Sequence, residues 1–323
     1  MTVPLLNLQG KDIAARKVGK LLRIAPFTDE DKTQLWDEGF GLTGYVSISD
    51  FISAKYKLIG TFTEAKEGRP SQSDLQEDAE RVITALRFLK VGDVGTPAII
   101  EVGHGELCTC GHRAGFPSDL RPRRYGRPYE LSKPELASVS RLVSSLLKAA
   151  EGSRLSGMQV SLRRFNQAYG RENAEDRIID LTIALESCLL KGADDELTYR
   201  LSLRGAALLG NVADPHETQS LLATMYGLRS KIVHEGMTLD KVKERHLGGL
   251  IRHEVVRHCE DITRRILSTY VARLAAGESI ANINKALDEQ IVSSLRSEAR
   301  KARASTKRKQ KGKAKKPIKR GKK

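Results

Sequence analysis

Residues 221–236 read LLATMYGLRSKIVHEG. Leu221, Met225, Leu228 and Ile232 recur at offsets 0, 4, 7 and 11, which places them on one side of an α-helix and predicts that this side is buried. Arg229 and His234 are five positions apart, so they point about 140° away from each other around the axis, and both are expected outside the apolar stripe. A guanidinium and an imidazole then project from the open half of a core helix, and that pair is also what cleavage of a phosphodiester needs. Gly236 supplies a stop. Upstream, Asp214 is placed to cap the helix, with Pro215 at its first position and Glu217 three residues beyond the cap.

Working outward, the chain from about residue 155 reads as almost continuous helix. Residues 162–169 and 176–190 are expected as two helices; Ile178, Leu181, Leu185 and Cys188 share one face, which makes Cys188 a core residue rather than a nucleophile. ELTYRLSLRGAALLG forms a third helix ended by Gly210, and a long helix follows within GLIRHEVVRHCEDITRRILSTYVARLAAG. A last helix covers about 278–300. Connections of two to six residues imply an antiparallel bundle. HEVVRH in the long helix is one residue too long for the zinc-protease pattern: His253 and His258 diverge, whereas a shared metal needs imidazoles four apart.

Before residue 135 the reading is mixed. TGYVSISDFI alternates in part, KYKLIGTF and AIIEV are strand candidates, and a helix is expected over 74–90, preceded by Ser73. Ser132, with Pro134 in the first turn and Glu135 three residues on, opens the helix LASVSRLVSSLLKAA. His104, Cys108, Cys110 and His112 offer four donors in nine residues, but such crowding strains a tetrahedral site, and an ordinary loop is preferred. Arg121, Arg123, Arg124 and Arg127 alternate with Tyr125 and Tyr129; phosphate contact and base stacking are conceivable there, and a solvated loop packing its tyrosines on a neighbour is preferred.

The formal net charge is +15 over 323 residues. Residues 300–323 hold fourteen of the 55 Lys and Arg and no acid, which leaves forty-one bases against forty acids elsewhere. The tail is therefore the polycation. It is expected to be disordered and to bind a polyanion, RNA first, through Lys307, Arg308, Lys309, Lys311, Lys313, Lys315, Lys316, Lys319 and Arg320. No run of eighteen apolar residues exists, so no membrane span is expected, and the absence of a secretion signal and of a disulfide framework points to the cytoplasm. The expected organisation is a mixed α+β region over 1–135, a helical bundle over 136–299 and a basic tail over 300–323.

NAEDRIIDLTIALESCLL, ELTYRLSLRGAALLG and MYGLRSKIVHEG resemble successive helices of the Apea-like branch of the HEPN superfamily, most clearly over about residues 160–240. Arg177, Glu186, Arg200, Arg204, Arg229 and His234 carry the likeness. The resemblance implies a HEPN-like bundle and, for many members, metal-independent ribonuclease activity centred on Arg and His separated by four to six residues, as in Arg229-Ser-Lys-Ile-Val-His234. Ser230 stands where active members usually have Asn, Asp or His, and Glu235 where this branch often has Gly. Glu186, Arg200, Arg204 and Ser230 become supporting residues. In this reading His234 serves as acid or base and Arg229 holds the phosphorane charge. One such histidine per chain cannot serve as both acid and base, so a twofold homodimer is expected. No metal or cofactor is required, and growth arrest or phage defence are the implied roles, with any antitoxin unidentified. The competing expectation is a non-catalytic, dimerising RNA- or nucleotide-binding adaptor, in which Arg229 pairs with an acid such as Glu186 and His234 closes the helix end.

Overall fold

The structure is a computed structural model describing all residues except 11–12, 38–47, 63–69, 103–112, 116–117, 124–125, 152–153, 194 and 315–323; for 48, 113–114, 118 and 298–314 only the backbone is described. It is mainly helical. Short strands β1 (Thr2–Leu5), β4 (Arg23–Pro26), β5 (Tyr56–Ile59), β6 (Ile99–Glu101) and β7 (Arg113–Gly115) join β3 (Arg16–Lys17) in a six-stranded sheet of order β3-β4-β5-β1-β6-β7. β2 (Leu8–Gly10) pairs in parallel with β8 (Tyr129–Leu131). The strand candidates KYKLIGTF and AIIEV thus supply β5 and β6. The alternating stretch does not: its described part is helix α2 (Ile48–Ser53), which with α1 (Asp29–Asp37) covers the outer sheet face through Phe27, Leu35, Phe51 and Ile100.

Helix α3 (Gln72–Leu89) begins two residues before the expected start. Its cap is Ser71, whose hydroxyl accepts from Asp74 N–H while the Asp74 carboxylate takes the Ser71 N–H, so the capping pair lies upstream of Ser73. Asp78, fully buried on this helix, accepts the backbone N–H groups of Lys20, Leu21 and Leu22 at 2.7–3.0 Å and so fastens the β3–β4 turn.

The bundle consists of α4 (Glu135–Glu151), α5 (Gln159–Ala168), α6 (Ala174–Leu189), α7 (Leu197–Leu209), α8 (Pro215–Glu235), α9 (Val255–Ala275) and α10 (Ile280–Ala314). Ser132 and Glu135 meet as the spacing predicts, but only half of the capping box forms: the Ser132 N–H and hydroxyl donate to the Glu135 carboxylate at 2.8 Å, while the Glu135 N–H goes to the Ser132 carbonyl. Residue 135 does not divide two cores, because α3 packs on α4 and α9 and one apolar cluster runs from Met1 to Leu287. Arg87 of α3 crosses this junction fully buried. It donates to the carbonyls of Val94, Asp119, Leu120 and Asn166 and to Asn166 Oδ1, and stacks 4.3 Å from the Tyr169 ring. Burial lowers its pKa to about 10, so the guanidinium keeps its charge.

Helix α10 departs from expectation. Ile283 and Leu287 dock it, Val292 to Ser297 are exposed, and the backbone stays helical to Ala314. Residues 300–314 of the stretch expected to be disordered continue the helix, since residues 298–311 are rich in Ala, Lys, Arg and Gln and contain no Gly or Pro; 315–323 lie outside the described residues. Lys307, Arg308, Lys309, Lys311 and Lys313 lie on that backbone, whereas Lys315, Lys316, Lys319 and Arg320 lie outside the described residues.

Candidate functional site

Helix α8 forms as the sequence predicts at both ends. Asp214 accepts the Glu217 N–H at 2.9 Å, Pro215 occupies the first turn, and Gly236 ends the helix in the left-handed region at φ +61°. Between them the buried stripe is rotated. Thr218, Leu222, Met225, Leu228 and Ile232 are buried, while Leu221 is only half-buried.

That rotation decides where the two candidate groups go. At 100° per residue, Arg229 lies roughly 40° from the centre of the observed stripe and His234 about 180° from it. Arg229 is therefore tucked toward α6 rather than outside the stripe, as the sequence reading had it. Its side chain is 25% exposed, its Nε stands 3.9 Å from Glu186 Oε1, and that Nε has no hydrogen-bond partner among the described residues. Burial raises the Glu186 carboxyl above its ordinary value, and the Arg229 charge opposes this. His234 is exposed in the last turn. Lys231 and Glu235, one helical turn apart, pair at 3.5 Å. Within one chain Arg229 and His234 thus serve different surfaces.

The supporting residues are likewise separated. Ser230 is half-buried on α8. Arg200 pairs with Asp195 at 3.0 Å, a local contact at the start of α7. Arg204 is 3% exposed and grips Asp288 of α10 and the Leu189 carbonyl. Cys188 is fully buried, and burial pushes its thiol up to about 12, in keeping with a core role. His104, Cys108, Cys110 and His112 lie outside the described residues. Among the described residues no three His, Cys, Asp or Glu are grouped to hold a metal.

The Pro- and Arg-rich connection holds an arrangement that the sequence reading missed. Tyr129 packs inward, 1% exposed, its hydroxyl donating to the Leu86 carbonyl at 2.6 Å. Arg123 and Arg127 are half-buried, and both guanidiniums are paired. Arg123 donates to Asp93 at 2.7 Å; Arg127 donates to Asp93 and, through a very short contact, to Glu260. Arg177 of α6 donates to Glu260 at 3.0 Å and approaches Asp93 at 3.4 Å. Two fully buried carboxylates thus hold three guanidiniums and join the loop after α3 to α6 and α9. Burial alone would raise the Asp93 carboxyl; the hydrogen bond from Arg123 and the charge of Arg177 bring it below the ordinary range. Arg177, one of the residues carrying the family likeness, is therefore structural. No sequence signal linked Asp93 to Glu260, because 167 positions separate them.

A cavity of about 550 Å³ opens between α3, α4 and α5, lined by Glu80, Thr84, Leu146, Leu162 and Asn166 among others. Burial and the nearby Asp119 and Glu77 raise the Glu80 carboxyl. No helix is long and apolar enough to cross a membrane among the described residues. No protein-family model, no curated protein and no solved structure matches this chain.

Proposed function

We propose that this chain is an RNA-binding adaptor built on a HEPN-like bundle, working as a homodimer, with the Lys/Arg run of α10 and the residues after it as its polyanion contact. The observation that carries the reading is the course of α10: it docks through Ile283 and Leu287, is exposed from Val292 to Ser297, and keeps a helical backbone through Lys307–Lys313. A run of cations in such a segment releases counterions on meeting a phosphate backbone, giving affinity with steep salt dependence and little sequence preference. The approach of Arg229 to Glu186 supports the adaptor over the pairwise catalytic site.

Metal-independent RNA cleavage is the second reading, favoured by the exposure of His234 opposite the buried stripe, where a twofold mate or a ribose phosphate has access. One experiment separates them. Full-length protein, a chain ending at Ser297, Arg229→Ala and His234→Ala are incubated with total RNA in EDTA. Retention is measured at 50 and 200 mM salt, and cyclic-phosphate ends are sought. The adaptor requires retention that depends on residues 298–323, without cleavage. Cleavage lost in both point variants supports the enzyme instead, and retention unaffected by the truncation overturns the α10 contact.

A further inference from the structure

The cavity of about 550 Å³ has a floor, two facing helical walls and an apolar side. Its floor is the point where α3 touches α5: the Asn166 amide donates to the Thr84 hydroxyl at 2.9 Å, and both residues are buried. From that contact each helix lines the cavity toward its own N-terminus. On α3 the lining residues are Thr84, Arg81, Glu80 and Glu77. On α5 they are Asn166, Arg163, Leu162 and Gln159. Both sets follow the spacing i, i+3, i+4, i+7, so each is one face of its helix. Glu80 and Arg163 therefore stand roughly one helical turn above the floor, on opposite walls. Leu146 and Ala150 of α4, with Leu155, make the remaining side apolar. The volume falls within the range of small-molecule pockets, about 300–1,000 Å³, in which apolar walls carry a few convergent polar groups.

The charges in the cavity are not all balanced from within. Arg81 pairs with Glu77 at 2.5 Å, and Asp119 accepts from the Gln167 amide at 2.9 Å. Among the described residues the side chains of Glu80 and Arg163 have neither an ion-pair nor a hydrogen-bond partner. Glu80 is accessible because it borders an open cavity, and it is desolvated because protein walls that cavity. Burial raises its carboxyl above the ordinary value, Asp119 and Glu77 add to this, and Arg81 opposes it. An ammonium group beside Glu80 would remove that penalty. Across the cleft, the Arg163 guanidinium presents paired N–H donors of the geometry that a carboxylate accepts.

We propose that this cavity binds a free α-amino acid with an apolar side chain. The ligand ammonium lies against Glu80, its carboxylate accepts from Arg163, and its side chain rests on Leu146, Leu155 and Leu162. The opposed charges fix which end of the ligand meets which helix, and a ligand with one charge alone leaves Glu80 or Arg163 unanswered. A phosphate-bearing ligand is disfavoured, because Glu77, Glu80 and Asp119 outnumber Arg81 and Arg163 around the cleft. The site lies on α3, α4 and α5 and stands independently of the RNA-binding reading.

The test is a ligand-observed NMR titration of the full chain with leucine, leucinamide and 4-methylpentanoate, the last two lacking the carboxylate and the ammonium respectively. Leucine is expected to bind at millimolar concentration or below, and each analogue at least about tenfold more weakly through loss of a charge-assisted hydrogen bond. Glu80→Gln and Arg163→Gln alter side chains without partners in the fold. Each should weaken leucine at least about tenfold without lowering the urea midpoint or RNA retention. Leucinamide binding as well as leucine overturns the zwitterionic ligand. Leucine binding unchanged in both variants overturns the assignment of the two charges, and no binding of leucine or phenylalanine overturns the site, in either case leaving the α10 contact as it was.

Discussion

The Arg204 guanidinium spans both oxygens of Asp288, Nε to Oδ1 at 2.8 Å and Nη2 to Oδ2 at 2.7 Å, and gives its remaining nitrogen to the Leu189 carbonyl at 2.6 Å. One side chain of α7 thereby locks α10 to the end of α6. The hydrogen bond from Arg204 holds the Asp288 carboxyl below its ordinary value. A depressed carboxyl contributes stability that is present above the unfolded pKa and disappears as pH falls through the folded one. Wild type should therefore lose urea resistance below about pH 4 more steeply than Asp288→Asn, with the largest difference near neutrality.

Removing one partner from the buried ionic cluster should cost far more. Glu260 is fully buried and serves both Arg177 and Arg127. Glu260→Gln leaves guanidinium charge without its counterpart, and a loss of about 3–5 kcal/mol is expected in urea unfolding. A change below roughly 1 kcal/mol would show that the network holds little of the fold.

Helix α8 offers a comparison between adjacent leucines. Leu222 is fully buried and Leu221 half-buried. Leu222→Ala should destabilise by about 2–5 kcal/mol through lost transfer energy and an unfilled cavity. Leu221→Ala should cost less than half as much. Equal costs would return the stripe to the register expected from spacing.

Glu186 behaves oppositely to Asp288, because burial raises its carboxyl and the Arg229 Nε at 3.9 Å offsets this only partly. A raised carboxyl disfavours the folded state once pH exceeds the unfolded value, near 4.3. Glu186→Gln should therefore match or exceed the thermal midpoint of wild type at pH 7 and lose that advantage below pH 4. A lower midpoint for the variant at pH 7 would mean that the pair with Arg229 is a net stabiliser.

How far the sequence could be read follows from which signals are local. Asp214, Pro215 and Gly236 mark the ends of α8 because caps act within one turn, and all three behave as expected. The buried register was harder to read: Leu221 and Leu222 are both leucine, and only neighbouring helices choose between them. That one-residue choice rotated the stripe toward Arg229 and separated it from His234. Arg123 and Arg127 looked like solvent or phosphate contacts because their partners, Asp93 and Glu260, are remote in sequence. The start of α3 was misplaced for a smaller reason, since Ser71 and Ser73 each have a capping-box residue three positions on, Asp74 and Gln76, and in the structure Gln76 instead donates to Glu101.

From Val292 to Ala314 the backbone of α10 measures roughly 35 Å as straight helix, at 1.5 Å per residue. A coil of the same length would average about 26 Å between its ends and sample every bearing. Built as a boom, the backbone of this segment is carried to a distance and direction set by the two turns that clasp the body. On the proposed reading, a strand caught near its tip would be moored remotely, leaving the rest of its length free to swing back onto the protein that holds it.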